Sequence, residues 1–174
     1  MDSLLAPVIE FIEQNQKWAP IIMGLVAFGE SLFIVGLLIP ATPLFLAAGA
    51  LIATGSLEVA PMLLYTMAGA VAGDVLSYFI GRQSGRSILY SSWGKRHRKR
   101  AAKSRAFFRR YGALSVFVGR FFGPLRSTVP FMAGVMRMDN FRFQLANVGS
   151  AMLWAPMMLL PSWLAVKGSG LVDN

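Results

Sequence analysis

The sequence predicts an all-α membrane protein made of two similar halves, each a broken apolar hairpin followed by a spanning helix. Three observations carry this. Hydrophobic residues make up 55% and charged residues 14% of the 174 positions, against roughly 25% charged in soluble domains, and mean hydropathy is +0.55. The charges leave four long stretches almost bare: 18–57, 59–81, 111–136 and 143–166. The first and third of these are broken midway, while the second and fourth each have the length of one crossing, about 20 apolar residues.

The elements follow in chain order. Leu4, Leu5, Val8, Ile9 and Ile12 recur at helical spacing among Asp2, Glu10, Glu13 and Gln16. Residues 1–17 therefore read as an amphipathic segment, either lying on the outer surface of the bilayer or packed on the domain as a soluble helix. Residues 18–57 are too long for one crossing. Pro40-Ala41-Thr42-Pro43 removes two backbone donors and disfavours helix at Ile39 and Thr42. The stretch after it is about half a span and ends at Gly55-Ser56. Residues 58–81 follow as a spanning helix. In it Gly69, Gly73 and Ser77 recur every fourth residue, a packing stripe, and Tyr78 stands one turn after Asp74, where it could hydrogen-bond that acid.

Residues 82–110 hold eleven basic residues and no acidic one. The positive-inside rule makes this segment cytoplasmic, with recruitment of anionic lipid headgroups as an added use. Residues 111–136 are broken at Gly123-Pro124, with Pro130 and Gly134 beyond, into arms too short to cross. Residues 139–166 supply the second spanning helix. The broken stretches are either kinked spanning helices or re-entrant hairpins. Charge within both favours hairpins, because non-helical backbone at membrane depth needs a protein or polar surrounding. The halves resemble each other, Pro40…Ala48-Gly49 in one and Pro124…Ala133-Gly134 in the other, as in an inverted repeat with its site at the breaks.

Four ionisable groups lie within the apolar stretches: Glu30, Asp74, Arg120 and Arg126. Such groups mark a substrate or proton path by default; the alternative is two ion pairs that hold helices together. Arg120 and Arg126 flank the break at Gly123-Pro124, and a guanidinium binds phosphate or carboxylate in two places. A half-helix starting near Arg126 or Ser127 would add free N–H groups to this anion site. Glu30 and Asp74 can exchange protons and are candidates for proton coupling. The chain has no Cys, and its one histidine, His97, lies in the basic run. No metal site, cofactor or hydrolytic constellation is expected, so neither is an enzyme. Nucleic acid is excluded by the hydrophobic flanks of the basic run, despite a net charge of +9.

Phe117-Val118-Gly119-Arg120-Phe121-Phe122-Gly123-Pro124-Leu125-Arg126-Ser127-Thr128-Val129-Pro130-Phe131-Met132-Ala133-Gly134 resembles the signature of the DedA family, also called the SNARE-associated or VTT-domain family. Phe28-Gly29-Glu30-Ser31, Pro40 and Ala48-Gly49 resemble its first hairpin, and Gly73-Asp74, Gly81-Arg82 and Gly85 its next helix. The resemblance covers roughly Trp18 to Lys167. It implies two facing re-entrant hairpins in a multi-pass protein of the bacterial inner membrane. It further implies a flippase for a phosphate-bearing lipid such as undecaprenyl phosphate or phosphatidylethanolamine, coupled to the proton-motive force. Glu30, Arg120 and Arg126 match the family's functional positions. Two departures stand out. Pro40-Ala41-Thr42-Pro43 lacks the acidic residue that often follows the first hairpin's Pro-Gly. The chain also stops soon after Lys167, where members commonly continue with another spanning helix, as a fragment or part of a larger fusion would. The alternatives are a proton-coupled antiporter of small ions or drugs and a non-transporting scaffold. The expected partners are anionic lipid headgroups and protons, and a homo-oligomer is allowed.

Overall fold

The computed structural model describes residues 17–32, 41–90, 108, 110–122 and 126–169. Among them are six helices and no strand: α1 (Ala19–Ser31), α2 (Thr42–Ala53), α3 (Val59–Tyr90), α4 (Ala113–Gly119), α5 (Thr128–Val135) and α6 (Asn140–Gly168). Proline opens rather than breaks several of them. Pro20 and Pro43 lie in the first turns of α1 and α2, where the missing N–H has no intrahelical partner to lose and the fixed φ suits a helix. Pro43 thus belongs to the start of α2 rather than to a break within it. The other three break residues, Pro40, Gly123 and Pro124, lie outside the described residues, as do residues 1–16 of the expected amphipathic segment 1–17.

α3 is 32 residues long and α6 is 29. Val59–Gly85 and Asn140–Gly168 are each long and apolar enough to cross a membrane. α3 runs past Gly81, where the apolar stretch ends, through Arg82 to Tyr90. A helix leaving the bilayer needs no apolar stripe, so the polar residues after Gly81 do not end it. α6 begins with Asp139, whose side chain accepts from the Arg142 N–H at 3.0 Å, a standard N-cap. Both long helices turn apolar side chains outward, Leu64, Leu76 and Phe79 on α3 and Leu145, Met152 and Leu160 on α6, as lipid contact requires.

The short helices end alike. After α2 the Ser56 N–H bonds the Leu51 carbonyl and Gly55 bonds Ile52, with Gly55 at φ +78. After α5 the Met138 N–H bonds the Ala133 carbonyl and Arg137 bonds Gly134, with Arg137 at φ 54. Both are left-handed C-caps that satisfy free carbonyls; the first uses glycine, and the second holds an arginine in the same backbone region.

Packing repeats between the halves as well. α1 lies on α3, α2 on α6, α5 on α3, α4 on α6, and α3 against α6. Exchange of the halves returns these five pairs; a sixth contact, α4 with α5, has no comparable counterpart between α1 and α2 among the described residues. α1 and α3 run in the same direction: Gly24 meets Tyr65 and Gly69, Phe28 meets Gly73, and the Ser77 hydroxyl donates to the Ser31 carbonyl at 3.1 Å. A Cβ on Gly24 would stand 2.9 Å from the Tyr65 carbonyl oxygen, so the Gly69–Gly73–Ser77 stripe does pack. The two Ala-Gly pairs play matching parts. Gly49 seats α2 on the Leu159 carbonyl of α6, and Gly134 seats α5 on the Tyr78 carbonyl of α3. α3 and α6 run antiparallel: Asn147 of α6 donates to the Val71 carbonyl of α3 at 3.2 Å, and Tyr78 stacks on Phe143 at 4.2 Å.

The core divides in two. One apolar cluster centres on Met23, Phe45, Met62 and Trp154, the other on Tyr78, Val116, Ala133 and Phe143. Asp74 lies on α3 between Ala70 of the first cluster and Tyr78 of the second. On α6, Asn147 and Ser150 lie between Ala146 of the second cluster and Trp154 of the first. A buried polar layer is thereby held between two apolar ones.

Candidate functional site in the buried polar layer

The layer is built from both halves. Glu30 comes from the last turn of α1 and Asp74 from near the middle of the Val59–Gly85 span. Arg120 is the residue that ends α4. Arg126 stands two residues before α5, close to where the sequence places a new half-helix. The structure brings all four together and pairs each acid with one arginine. Arg120 Nη2 donates to Asp74 Oδ2 and to Asn147 Oδ1. Arg126 Nη1 lies 3.1 Å from Glu30 Oε2. Asp74 also interacts electrostatically with Arg126, so the four charges form one network. This is the ion-pair arrangement that the sequence left as an alternative. Both pairs join the first half to the second.

The pairs differ. Arg120 and Asp74 have side chains 2% and 3% exposed, whereas Arg126 and Glu30 are 8% and 12% exposed. Asn147, fully buried, ties the first pair to the α3 backbone through its donation to Val71. The Arg126 guanidinium lies 3.7 Å from the centroid of the Trp154 ring, a desolvated cation–π contact worth about 2 kcal/mol. Trp154 is itself fixed edge-on by Phe45 at 5.2 Å. With its face taken by Trp154 and Nη1 by Glu30, Arg126 keeps Nε and Nη2 buried and without a hydrogen-bond partner. Arg120 Nη1 and Asp74 Oδ1 are also unpartnered. The Ser31 hydroxyl lies close enough to Asp74 to interact with it, although no hydrogen bond of standard geometry forms. Unpaired buried donors cost about 1–3 kcal/mol each, and groups carrying that cost call for an explanation, such as a ligand site.

Asn147 and Trp154 are the residues that sequence reasoning missed. Asn147 had a signal, an amide one turn from Ser150 in a stretch with no charge. Trp154 had none, because a tryptophan in an apolar helix looks like core. Tyr78 does not reach Asp74. Its hydroxyl donates to the Met138 carbonyl at 2.6 Å and accepts from Arg82 at 2.7 Å. Among the described residues no group of three or more His, Cys, Asp or Glu is arranged to hold a metal.

The sequence comparisons place this architecture. The VTT domain matches residues 39–163. The inner membrane protein YabI of Escherichia coli K12 is 33% identical over 155 residues, 89% of this chain and 61% of YabI. Protein DedA of the same strain is 30% identical over 148 residues, 83% of this chain and 68% of DedA. An uncharacterized membrane protein of Buchnera aphidicola is 30% identical over 151 residues, 87% of this chain and 59% of that protein. The chain thus spans about three fifths of the length of YabI and of the Buchnera protein. No solved structure matches it. A VTT domain over most of the chain, relatives that include DedA itself, and two helices long and apolar enough to cross a bilayer lead to one conclusion: the chain is a membrane protein of the DedA, or VTT-domain, family.

Proposed function

We propose that this protein transports a phosphate-bearing lipid, such as undecaprenyl phosphate or phosphatidylethanolamine, across the bacterial inner membrane with the proton gradient as driving force. The observation that carries the reading is Arg126, whose Nε and Nη2 are buried and unpartnered while its ion partner Glu30 is the most exposed of the four charges. A guanidinium offers two parallel N–H groups to a phosphate. An arriving headgroup takes those donors and displaces Glu30, which is then free to carry a proton. Arg120, held by Asp74 and Asn147, contributes positive potential from a fixed place.

The topology of this reading has the basic segment 82–110 in the cytoplasm and both broken elements as re-entrant hairpins. The first hairpin's geometry supports it: Lys17 and Pro20 at the start of α1 lie beside Gly55–Glu58 after α2, so the chain returns to the end of α3 from which it set out. An antiporter of cations or drugs has no use for free guanidinium donors, and a scaffold does not need four charges at depth.

The test is headgroup translocation by purified protein in liposomes, with a pH gradient on and off. Arg126→Lys keeps the charge and loses the fork. It is expected to lower the rate at least tenfold while expression and thermal stability stay near wild type. Wild-type rates in Arg126→Lys refute the phosphate clamp, and no headgroup movement by wild type with either gradient polarity refutes transport.

A further inference from the structure

The end of α3 remote from the basic segment carries a second polar site. A groove of about 630 Å³ lies where α1 begins and the α2–α3 turn passes, lined by Lys17, Ile21, Ser56, Glu58 and Tyr65 among others. Lys17 and Glu58 are both exposed, and neither makes an ion pair with the other or with any described residue. An acid just before α3 complements the helix dipole, but that explains neither the cation in the same groove nor why the two stay apart. Trp18, 59% exposed, and Tyr65, 47% exposed, stand beside them. Aromatic side chains of this kind settle at the headgroup level of a bilayer. Below them the surface turns apolar through the exposed Ile21 and Leu25 of α1 and Leu64 of α3.

We propose that this groove binds one zwitterionic phospholipid. Lys17 takes the phosphate, Glu58 takes the headgroup ammonium, and the acyl chains run down past Ile21, Leu25 and Leu64. Two unpaired opposite charges in one groove match a headgroup that carries both charges. A purely anionic headgroup satisfies Lys17 alone and faces repulsion from Glu58. Ser56 and the Tyr65 hydroxyl supply further hydrogen bonds at the polar rim. The groove's use as a loading site for the buried layer rests on the transport reading above; its occupancy does not.

The test uses the full chain in vesicles of phosphatidylglycerol with a small fraction of phosphatidylethanolamine that bears a photoreactive acyl chain. The yield of label in the peptides holding Ile21, Leu25 and Leu64 is read by mass spectrometry. Lys17→Gln and Glu58→Gln are each expected to cut that yield at least fivefold, and the swap Lys17→Glu with Glu58→Lys to restore more than half of it. The same photoreactive chain on phosphatidylglycerol should label wild type several-fold less, and Glu58→Gln more than wild type. Arg126→Lys, which alters the buried layer, should leave labelling unchanged, so a failed flippase and a failed groove are told apart. Unchanged yield in both single variants overturns the proposal, as does equal labelling of wild type by the two lipids. Soluble glycerophosphoethanolamine that abolishes labelling at the lipid's own concentration would assign the groove to a free headgroup compound instead.

Discussion

Asp74, paired with Arg120, is a candidate both for moving protons and for a fixed counter-charge, and the two roles separate in one substitution. Asp74→Asn keeps the shape and removes the charge. Arg120, 4% exposed, then holds its full charge in an apolar surrounding with only amide oxygens to accept its protons. Leaving one member of a buried ion pair uncompensated costs about 3–5 kcal/mol. For a chain of this size each kcal/mol moves the unfolding midpoint about 2–4 °C, so the expected loss is about 6–20 °C. Thermal unfolding of the purified variant in detergent measures it. Removing the second charge as well, in Asp74→Asn with Arg120→Gln, should recover most of the loss, because a buried pair contributes little net stability over an uncharged replacement. Glu30→Gln should lose less, since that pair is more exposed and Arg126 keeps its contact with Trp154. An Asp74→Asn protein as stable as wild type would refute the counter-charge assignment and return Asp74 to the proton path.

Three further outcomes are expected. Gly134→Ala places a methyl group against the Tyr78 carbonyl and should destabilise by about 1–3 kcal/mol. In Gly149→Ala the new Cβ meets only the Phe117 ring, at 3.7 Å, so the substitution should be neutral or gain up to about 1 kcal/mol from helix propensity; equal effects would show that the α3–α5 contact is not tight. Glu30→Gln cannot titrate and should abolish the dependence of transport on the pH gradient while downhill exchange persists; retained gradient dependence removes Glu30 from the coupling. Cysteines placed at Ser92 or Ser104, in the basic segment beyond the described residues, should resist an impermeant reagent added to intact cells, and efficient labelling would invert the topology.

The long helices were legible because membrane insertion writes itself into composition: an apolar stretch of span length, with one charge in α3 and none in α6, is a sufficient signal. Their ends were less so, since α3 continues to Tyr90 on residues that owe nothing to the bilayer. The packing stripe on α3 and the matched Ala-Gly pairs were visible because close backbone approach restricts a position to small residues. The four charges were found by their rarity, but which acid meets which arginine is a contact between distant parts of the chain, and no local period encodes it. Tyr78 shows the limit of spacing arguments. Asp74 and Arg82 each lie one turn away on its helix. Asp74 is taken by the charged donor Arg120, and the tyrosine hydroxyl turns to Arg82 and Met138 instead.

The halves share a plan but not a charge. The first half supplies both acids, Glu30 and Asp74, and the second both arginines, Arg120 and Arg126, so each ion pair is a tie across the boundary between halves. Any rocking of one half against the other, as the transport reading requires, has to stretch or exchange these ties. The two are unequal to that demand. Arg120–Asp74 is sealed and anchored to the α3 backbone through Asn147 and Val71, and breaking it would strand two buried charges. Arg126–Glu30 is more exposed, and Trp154 holds the arginine in place without using its N–H groups. On the transport reading, the natural pivot is therefore the first pair and the natural latch the second. A headgroup phosphate that replaces Glu30 on Arg126 keeps the arginine neutralised, and a proton on the released Glu30 keeps the layer neutral as well. On the transport reading, the phosphate diester of phosphatidylethanolamine brings one negative charge, so that it and one proton would substitute for the latch without leaving a bare charge on Arg126; a monoester such as undecaprenyl phosphate can bring a second charge and would call for a second proton. On this argument phosphate and proton act on the same ion pair from opposite sides, so coupling between lipid and gradient requires no second site.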